Sequence, residues 1–184
     1  MILPKFRVRE GGNLALGRLA TVHQWLVASG IIEGPDGILL VENLRRDGRT
    51  DWSPPGGVVE VHDGEDLIDG LTREVAEETG IIVTEWFGPV WTVSVEAPDM
   101  GWHLEVEVHR AVAFAGELVI EDPDGIVVDA RFVALDECAH HLRHTWAPIH
   151  EPFGAWLAER WAGTRPWSYY IEGADRASMT VTRR

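Results

Sequence analysis

The stretch DGEDLIDGLTREVAEETG, residues 63–80, decides how the rest of this chain is read. Leu67, Ile68, Leu71 and Val75 recur at helical spacing, Asp63 is a candidate N-cap with Asp66 three residues on, and Gly80 stands where a C′ glycine belongs. The spacing predicts a helix from about residue 65 to 79. Gly70 inside it costs about 1 kcal/mol relative to alanine, so the missing side chain is expected where a strand packs closely. Glu74, Glu77 and Glu78 fall at i, i+3 and i+4, which puts three carboxylates within an arc of about 100° on one helix face. Like charges so placed destabilise an isolated helix by roughly a few tenths of a kcal/mol per pair, and Arg73 is the one cation beside them. Hard divalent cations such as Mg2+ or Mn2+ take oxygen ligands, and converging carboxylates with substrate phosphates are their usual shell. EVAEE by itself is also the composition of a solvated acidic face.

Upstream, RRDGRTDWSPPGG at 45–57 carries Gly and Pro pairs that predict a loop. The apolar run at 22–32 and the run ILLVENL are separated by GPDG and read as a hairpin. Downstream, strands are expected at 81–95 and 103–115 around a turn in APDMG, and more β structure at 117–134. Residues 135–145 and 148–162 read as helices, the second starting after Pro148. Strands, helix, strands, helix is the order of an α/β (α+β) fold, a mixed sheet with helices on its faces, and no internal repeat or low-complexity tract interrupts it.

A chain of 184 residues, 45% hydrophobic and 25% charged, is sized for one domain or one domain with a modest appendage. The single cysteine, Cys138, has no partner for an internal bridge, and the core is large enough to stand without one. A net charge of −14 repels a phosphate backbone and excludes a general nucleic-acid binder, although an acidic protein can hold phosphates through divalent cations. Only Lys5 among the sixteen basic residues is a lysine, which we read as compositional bias. No segment has the apolar length of a membrane span, and MILPKFRVREGGNLALGRLATVH has no apolar signal core. A cytoplasmic location is the expectation.

The context of the acidic helix settles its reading: PPGG precedes it, Glu65 opens it, Arg73 can clamp a carboxylate or a phosphate, and Gly80 and Ile81 close it. At these residues the chain resembles the Nudix hydrolase family. The family motif runs Gly, five residues, Glu, seven residues, Arg-Glu, an apolar residue, one residue, Glu-Glu, one residue, Gly and an apolar residue. Glu65, Arg73, Glu74, Val75, Glu77, Glu78, Gly80 and Ile81 match in identity and spacing, whereas seven residues rather than five separate Gly57 from Glu65, a two-residue insertion around Val61 to Asp63. Trp52, the PPGG approach and ARFVALDE at 130–137 extend the resemblance over roughly residues 20–145.

The resemblance implies an α/β/α sandwich and hydrolysis of a diphosphate linked to another moiety, with Mg2+ or Mn2+ as cofactor. By carry-over, Glu74, Glu77 and Glu78 would ligate metal, and one of them or a carboxylate from a later loop would deprotonate water. Arg73 would orient a glutamate, and Glu65 would support the start of the helix or an outer metal. An ADP-ribose or nucleotide-sugar substrate is the first expectation; a nucleoside triphosphate, including an oxidised one, is the alternative, and a nucleotide-sensing module without catalysis a second. In the ADP-sugar subclass a proline tends to lie some sixteen residues past the box, and Pro98 lies seventeen past Ile81. Nothing downstream resembles the NADH or coenzyme A subclasses. A ligand-free acidic domain is the plainest rival.

Gly56, Gly57, Trp52 and Trp91 are candidate substrate contacts, and Trp102 is a further stacking candidate. Glu105, Glu107, Glu117 and Glu121 could supply an additional carboxylate, although strand alternation favours solvent for each. His140, His141 and His144 lie near Cys138, but no second cysteine stands at ligand spacing, so a surface or interface role is expected over zinc. The chain divides into an extension at 1–20, the hydrolase-like domain at 21–145, and a helix with an aromatic-rich extension at 146–184 that packs on the domain or forms a homodimer surface.

Overall fold

The computed structural model describes residues 22–175 and 178–184; the extension assigned to 1–20 lies outside them. The described residues form ten strands and three α-helices: β1 (His23–Ile31), β2 (Glu33–Gly34), β3 (Gly37–Leu44), β4 (Thr50–Ser53), β5 (Gly56–Val58), α1 (Leu67–Thr79), β6 (Ile82–Ala97), β7 (Trp102–Ala115), β8 (Val127–Val133), α2 (Cys138–Leu142), α3 (Ala147–Glu159), β9 (Arg165–Glu172) and β10 (Thr180–Arg183). They build two sheets. The larger has the order β10-β9-β6-β7-β1-β5, with β1–β7 and β6–β9 parallel and the other pairs antiparallel. The smaller joins β2, β4 and β8 to β3. This is the mixed α/β sandwich expected from the element order, with two sheets rather than one. No described helix is long and apolar enough to cross a membrane.

Strand alternation sorts the core into two layers. Trp102, Leu104 and Val108 of β7 pack with Val93, Val95, Tyr169 and Ile171 against Phe153 and Trp156 of α3. Ala28, Ile32, Leu39 and Val41 pack on the opposite side with Leu71 and Val75 of α1. The positions of the large sheet thus divide between α1 and α3, and the acidic helix is held by its apolar stripe.

Several local expectations are corrected. The run 22–32 meets the run that follows GPDG only at its end, where the Leu39 N–H donates to the Ile32 carbonyl at 2.9 Å beside the short β2–β3 ribbon closed at Gly34 and Gly37; β1 itself joins the large sheet. Alternation shows that a run is a strand, not which partner it takes. The segment 45–57 contains β4 and the start of β5, short strands on either side of Pro54 and Pro55. Of 117–134 only β8 is strand, because the Asp122 carboxylate closes a turn by accepting the N–H groups of Asp124, Ile126 and Val127. Helix α2 is shorter than expected, and α3 begins at Ala147 with Pro148 in its first turn, where a proline sacrifices no helical hydrogen bond. The C-terminal strands β9 and β10 extend the large sheet and bury Tyr169 and Ile171.

Candidate active site

The start of α1 is set by Asp66, whose carboxylate accepts the Ile68 N–H at 2.9 Å, and not by Asp63. Asp63 belongs to a 3-10 turn, Val61–Asp63, closed by Gly64 at φ 83°. That turn lies where the sequence is two residues longer than the motif. Glu65, just ahead of the helix, accepts the Glu60 N–H at 2.8 Å and receives Arg73 Nε at 2.8 Å. A Cβ at Gly70 would lie 2.8 Å from Glu65 Oε2 and 3.4 Å from Val59, so the glycine makes room for a carboxylate rather than for a strand.

Arg73 is the hub of the acidic face. Its guanidinium donates to Glu65, to Glu74 at 2.9 Å and to Glu77 at 3.1 Å. These contacts raise the Arg73 pKa further and lower that of Glu65. Burial raises the Glu74 pKa against the opposing pull of Arg73.

Glu74 and Glu78 face the glycine loop. The Pro55 carbonyl accepts the Gly30 N–H at 2.8 Å and the Ser29 hydroxyl at 3.1 Å, which ties the loop to β1. The Gly56 N–H donates to Glu78 Oε2 at 2.8 Å, and a Cβ at Gly57 would stand 2.3 Å from Glu74 Oε2. Burial holds the Glu78 pKa well above the ordinary carboxylate range; the Gly56 hydrogen bond opposes this, while the charges of Glu74, Asp122 and Glu77 add to it. The loop between β7 and β8 crosses the end of α1, where the Val119 N–H donates to the Thr79 carbonyl at 2.9 Å.

A family model described as the NUDIX domain matches residues 23–157, most of the chain. The chain belongs to the Nudix hydrolase family. Among curated proteins none matches. Among solved structures, the ORF135 protein of E. coli is 26% identical with a TM-score of 0.62, over 79% of this chain and 99% of that one. A MutT NUDIX hydrolase from Burkholderia pseudomallei is 27% identical, TM-score 0.56, over 66% of this chain and 92% of that one. The mutator MutT protein of Bacillus halodurans, 20% identical over 85% and 97% with a TM-score of 0.61, shares the fold.

The Nudix helix offers a donor set suited to a hard cation. Its groups are all carboxylate oxygens, and burial, with the neighbouring negative charges adding to it, raises the Glu74 and Glu78 pKa values, a condition that a divalent cation would relieve. Glu74, Glu77 and Glu78 are the residues that would hold it, with Arg73 bonded to Glu74 and Glu77 and the Gly56 N–H to Glu78. Among the described residues no three His, Cys, Asp or Glu side chains converge as a finished cage, at the Nudix helix or at His140, His141 and His144. Remaining ligands would come from water and substrate phosphate.

Trp91 lies in the core layer beneath α3. It is 2% exposed and packs against Phe153, Trp156 and Trp161, because its strand position faces α3. Trp102 is buried in the same layer. Trp52 is half-buried upstream of the glycine loop, with its carbonyl accepting the Thr145 hydroxyl at 2.6 Å and its ring flanked by Arg131 at 4.9 Å and His141 at 4.8 Å. Glu105 is engaged by Ser94 and His103, and Glu107 by the buried His109; Glu117 and Glu121 are exposed. The carboxylate whose charge reaches Glu78 is Asp122. Sequence reasoning missed it, although DPDG at 122–125 carried a turn signal that placed an aspartate in the loop.

Proposed function

We propose that this Nudix hydrolase is a divalent-cation-dependent pyrophosphohydrolase of nucleoside triphosphates. The observation that carries the hydrolase reading is the pairing of Glu74 and Glu78 with Gly57 and Gly56, which sets two carboxylates of raised pKa directly against a glycine backbone loop. Mg2+ or Mn2+ would supply charge neutralisation at the phosphoryl oxygens and a water of lowered pKa. Glu74, Glu77 and Glu78 would hold the cation, Arg73 fixes Glu74 and Glu77, and Glu65 braces Arg73. The proton of the attacking water would go to a carboxylate of this acidic face.

The triphosphate reading is favoured over a nucleoside diphosphate sugar on two grounds. Matched structures carry the MutT name, among them the one from Burkholderia pseudomallei at 27% identity. Pro98, the residue that approximated the ADP-sugar pattern, starts the 3-10 turn that closes the β6–β7 hairpin, where the neighbouring Asp99 accepts the Gly173 N–H at 3.0 Å. In register, Gly57 lies opposite Ala28 and Ala28 opposite Glu107, so the end of that hairpin at Trp102 is about 17 Å along β7 from the glycine row.

The test is product analysis on a panel of nucleoside triphosphates, oxidised triphosphates and nucleoside diphosphate sugars with Mg2+ or Mn2+, run beside Glu78→Gln. A triphosphate converted to monophosphate and pyrophosphate by the native chain alone is the expected result. Preferred cleavage of a diphosphate sugar would overturn the substrate assignment, and metal-dependent binding without cleavage would favour a nucleotide sensor.

A further inference from the structure

The chain is strongly acidic, yet residues 165–184 carry four arginines against two acidic residues. Three of these arginines meet at the edge of the large sheet. Arg165, Arg183 and Arg184, with Pro166, Trp167 and Ser168, line a hollow of about 250 Å3. Each guanidinium lies over an aromatic face: Arg165 over Trp161 at 4.1 Å, Arg183 over Trp167 at 4.9 Å and Arg184 over Tyr170 at 3.8 Å. Stacking fixes a guanidinium plane while leaving its edge donors free to bond.

The acidic neighbours do not consume those donors. Arg165 Nη1 meets Glu159 at 2.5 Å and Arg184 Nη1 meets Glu96 at 3.3 Å, each one corner of a five-donor fork. Arg183 Nη1 is 3.8 Å from Glu151, beyond hydrogen-bond reach. The Trp167 indole N–H is a buried donor with no partner among the described residues. Trp161, in the same segment, donates its indole N–H to the Val90 carbonyl at 2.9 Å. A buried donor left unpaired is costly, so an acceptor at Trp167 would be favoured.

We propose that this hollow is a second oxyanion site, for phosphate or diphosphate, separate from the Nudix helix. The residues that line it include three arginines and a serine and no acidic residue, with Glu159 and Glu96 each holding one corner of Arg165 and Arg184 from outside the lining. Its volume lies below the roughly 300–1,000 Å3 of pockets that enclose drug-sized ligands, which suits an inorganic anion better than a whole nucleotide. Strands β9 and β10 form one edge of the large sheet and β5 the other. Four to five interstrand steps, about 19–24 Å, therefore separate the site from the loop facing Glu74.

The experiment follows the Trp167 indole signal in proton–nitrogen correlation spectra of the full chain without divalent cation. Inorganic phosphate, diphosphate and a nucleoside monophosphate are added separately, against potassium chloride at matched ionic strength. A saturable downfield movement with phosphate or diphosphate is expected, weakened about tenfold or more in Arg165→Gln/Arg183→Gln. Arg165→Lys/Arg183→Lys, which retains charge but loses the fork, is expected to bind more weakly than the native chain and serves if the glutamine variant fails to fold. A Trp167 signal that stays still, moves equally with chloride, or responds alike in native and lysine variants overturns the proposal. So does a response confined to the nucleotide.

Discussion

Gly57 and Glu74 occupy one space: the carboxylate of Glu74 lies where a side chain at 57 would begin, with Oε2 2.3 Å and Cδ 2.4 Å from an ideal Cβ. Alanine at 57 must displace the far end of a flexible glutamate, not backbone. Gly57→Ala is therefore expected to fold with a stability loss below about 1 kcal/mol while losing on the order of 100-fold in kcat, since displacements near 1 Å at a catalytic group can cost that much. Turnover measured beside a thermal melt checks both halves; an active variant would remove Glu74 from the catalytic set.

The neighbouring glycine makes the opposite prediction. Gly56 has φ 141°, and a Cβ there would stand 2.2 Å from the Ala28 carbonyl oxygen, which belongs to the paired strand and cannot swing away. Gly56→Ala is expected to cost about 2–4 kcal/mol, a drop in Tm on the order of 10 °C for a chain of this size. Denaturant unfolding of the two alanine variants side by side separates strain at 56 from displacement at 57.

Glu78 links the site to pH. Its folded-state pKa is raised, chiefly by burial, so between the unfolded value near 4.3 and the higher folded value the folded state binds more protons than the unfolded one. Stability from this group is then greatest at low pH and falls as pH rises through that window. Without metal, Glu78→Gln is expected to melt above the native chain at neutral pH, with the difference shrinking as pH drops below about 4, while turnover falls by orders of magnitude. Melting curves across pH in the presence of a chelator test the sign, and a variant less stable at neutral pH would contradict it.

The Nudix helix was legible in the sequence because its signals are local: a 3.6-residue apolar stripe, a terminal glycine at φ 73° and carboxylates on one face. Strand partners were not, since β1 pairs in parallel with β7 across more than seventy residues of intervening chain, and alternation carries no information on partner choice. The same gap explains Trp91. Its residue type suggested a stacking platform, but the register Trp91 to Arg165 beside β9 places it under α3. Arg73 was expected to serve one glutamate; that it reaches three follows from Glu65 turning back at the preceding 3-10 turn, a tertiary feature of the inserted residues.

Asp122 supports the site through the loop that it builds. Its carboxylate accepts three backbone N–H groups, with Ile126 and Val127 on Oδ2 and Asp124 on Oδ1, and the same loop is anchored to the end of α1 through Val119 and Thr79. Asp122→Ala leaves those donors to solvent and is expected to cost about 1–2 kcal/mol. Asp122→Asn keeps one acceptor oxygen and should recover part of that loss. Both variants also remove a negative charge that raises the Glu78 pKa, so the acidic limb of the pH–rate profile is expected to move to lower pH in each. A stability loss with an unshifted acidic limb would confine Asp122 to shaping the turn, whereas a matching shift in both variants identifies its charge as part of the electrostatics at Glu78.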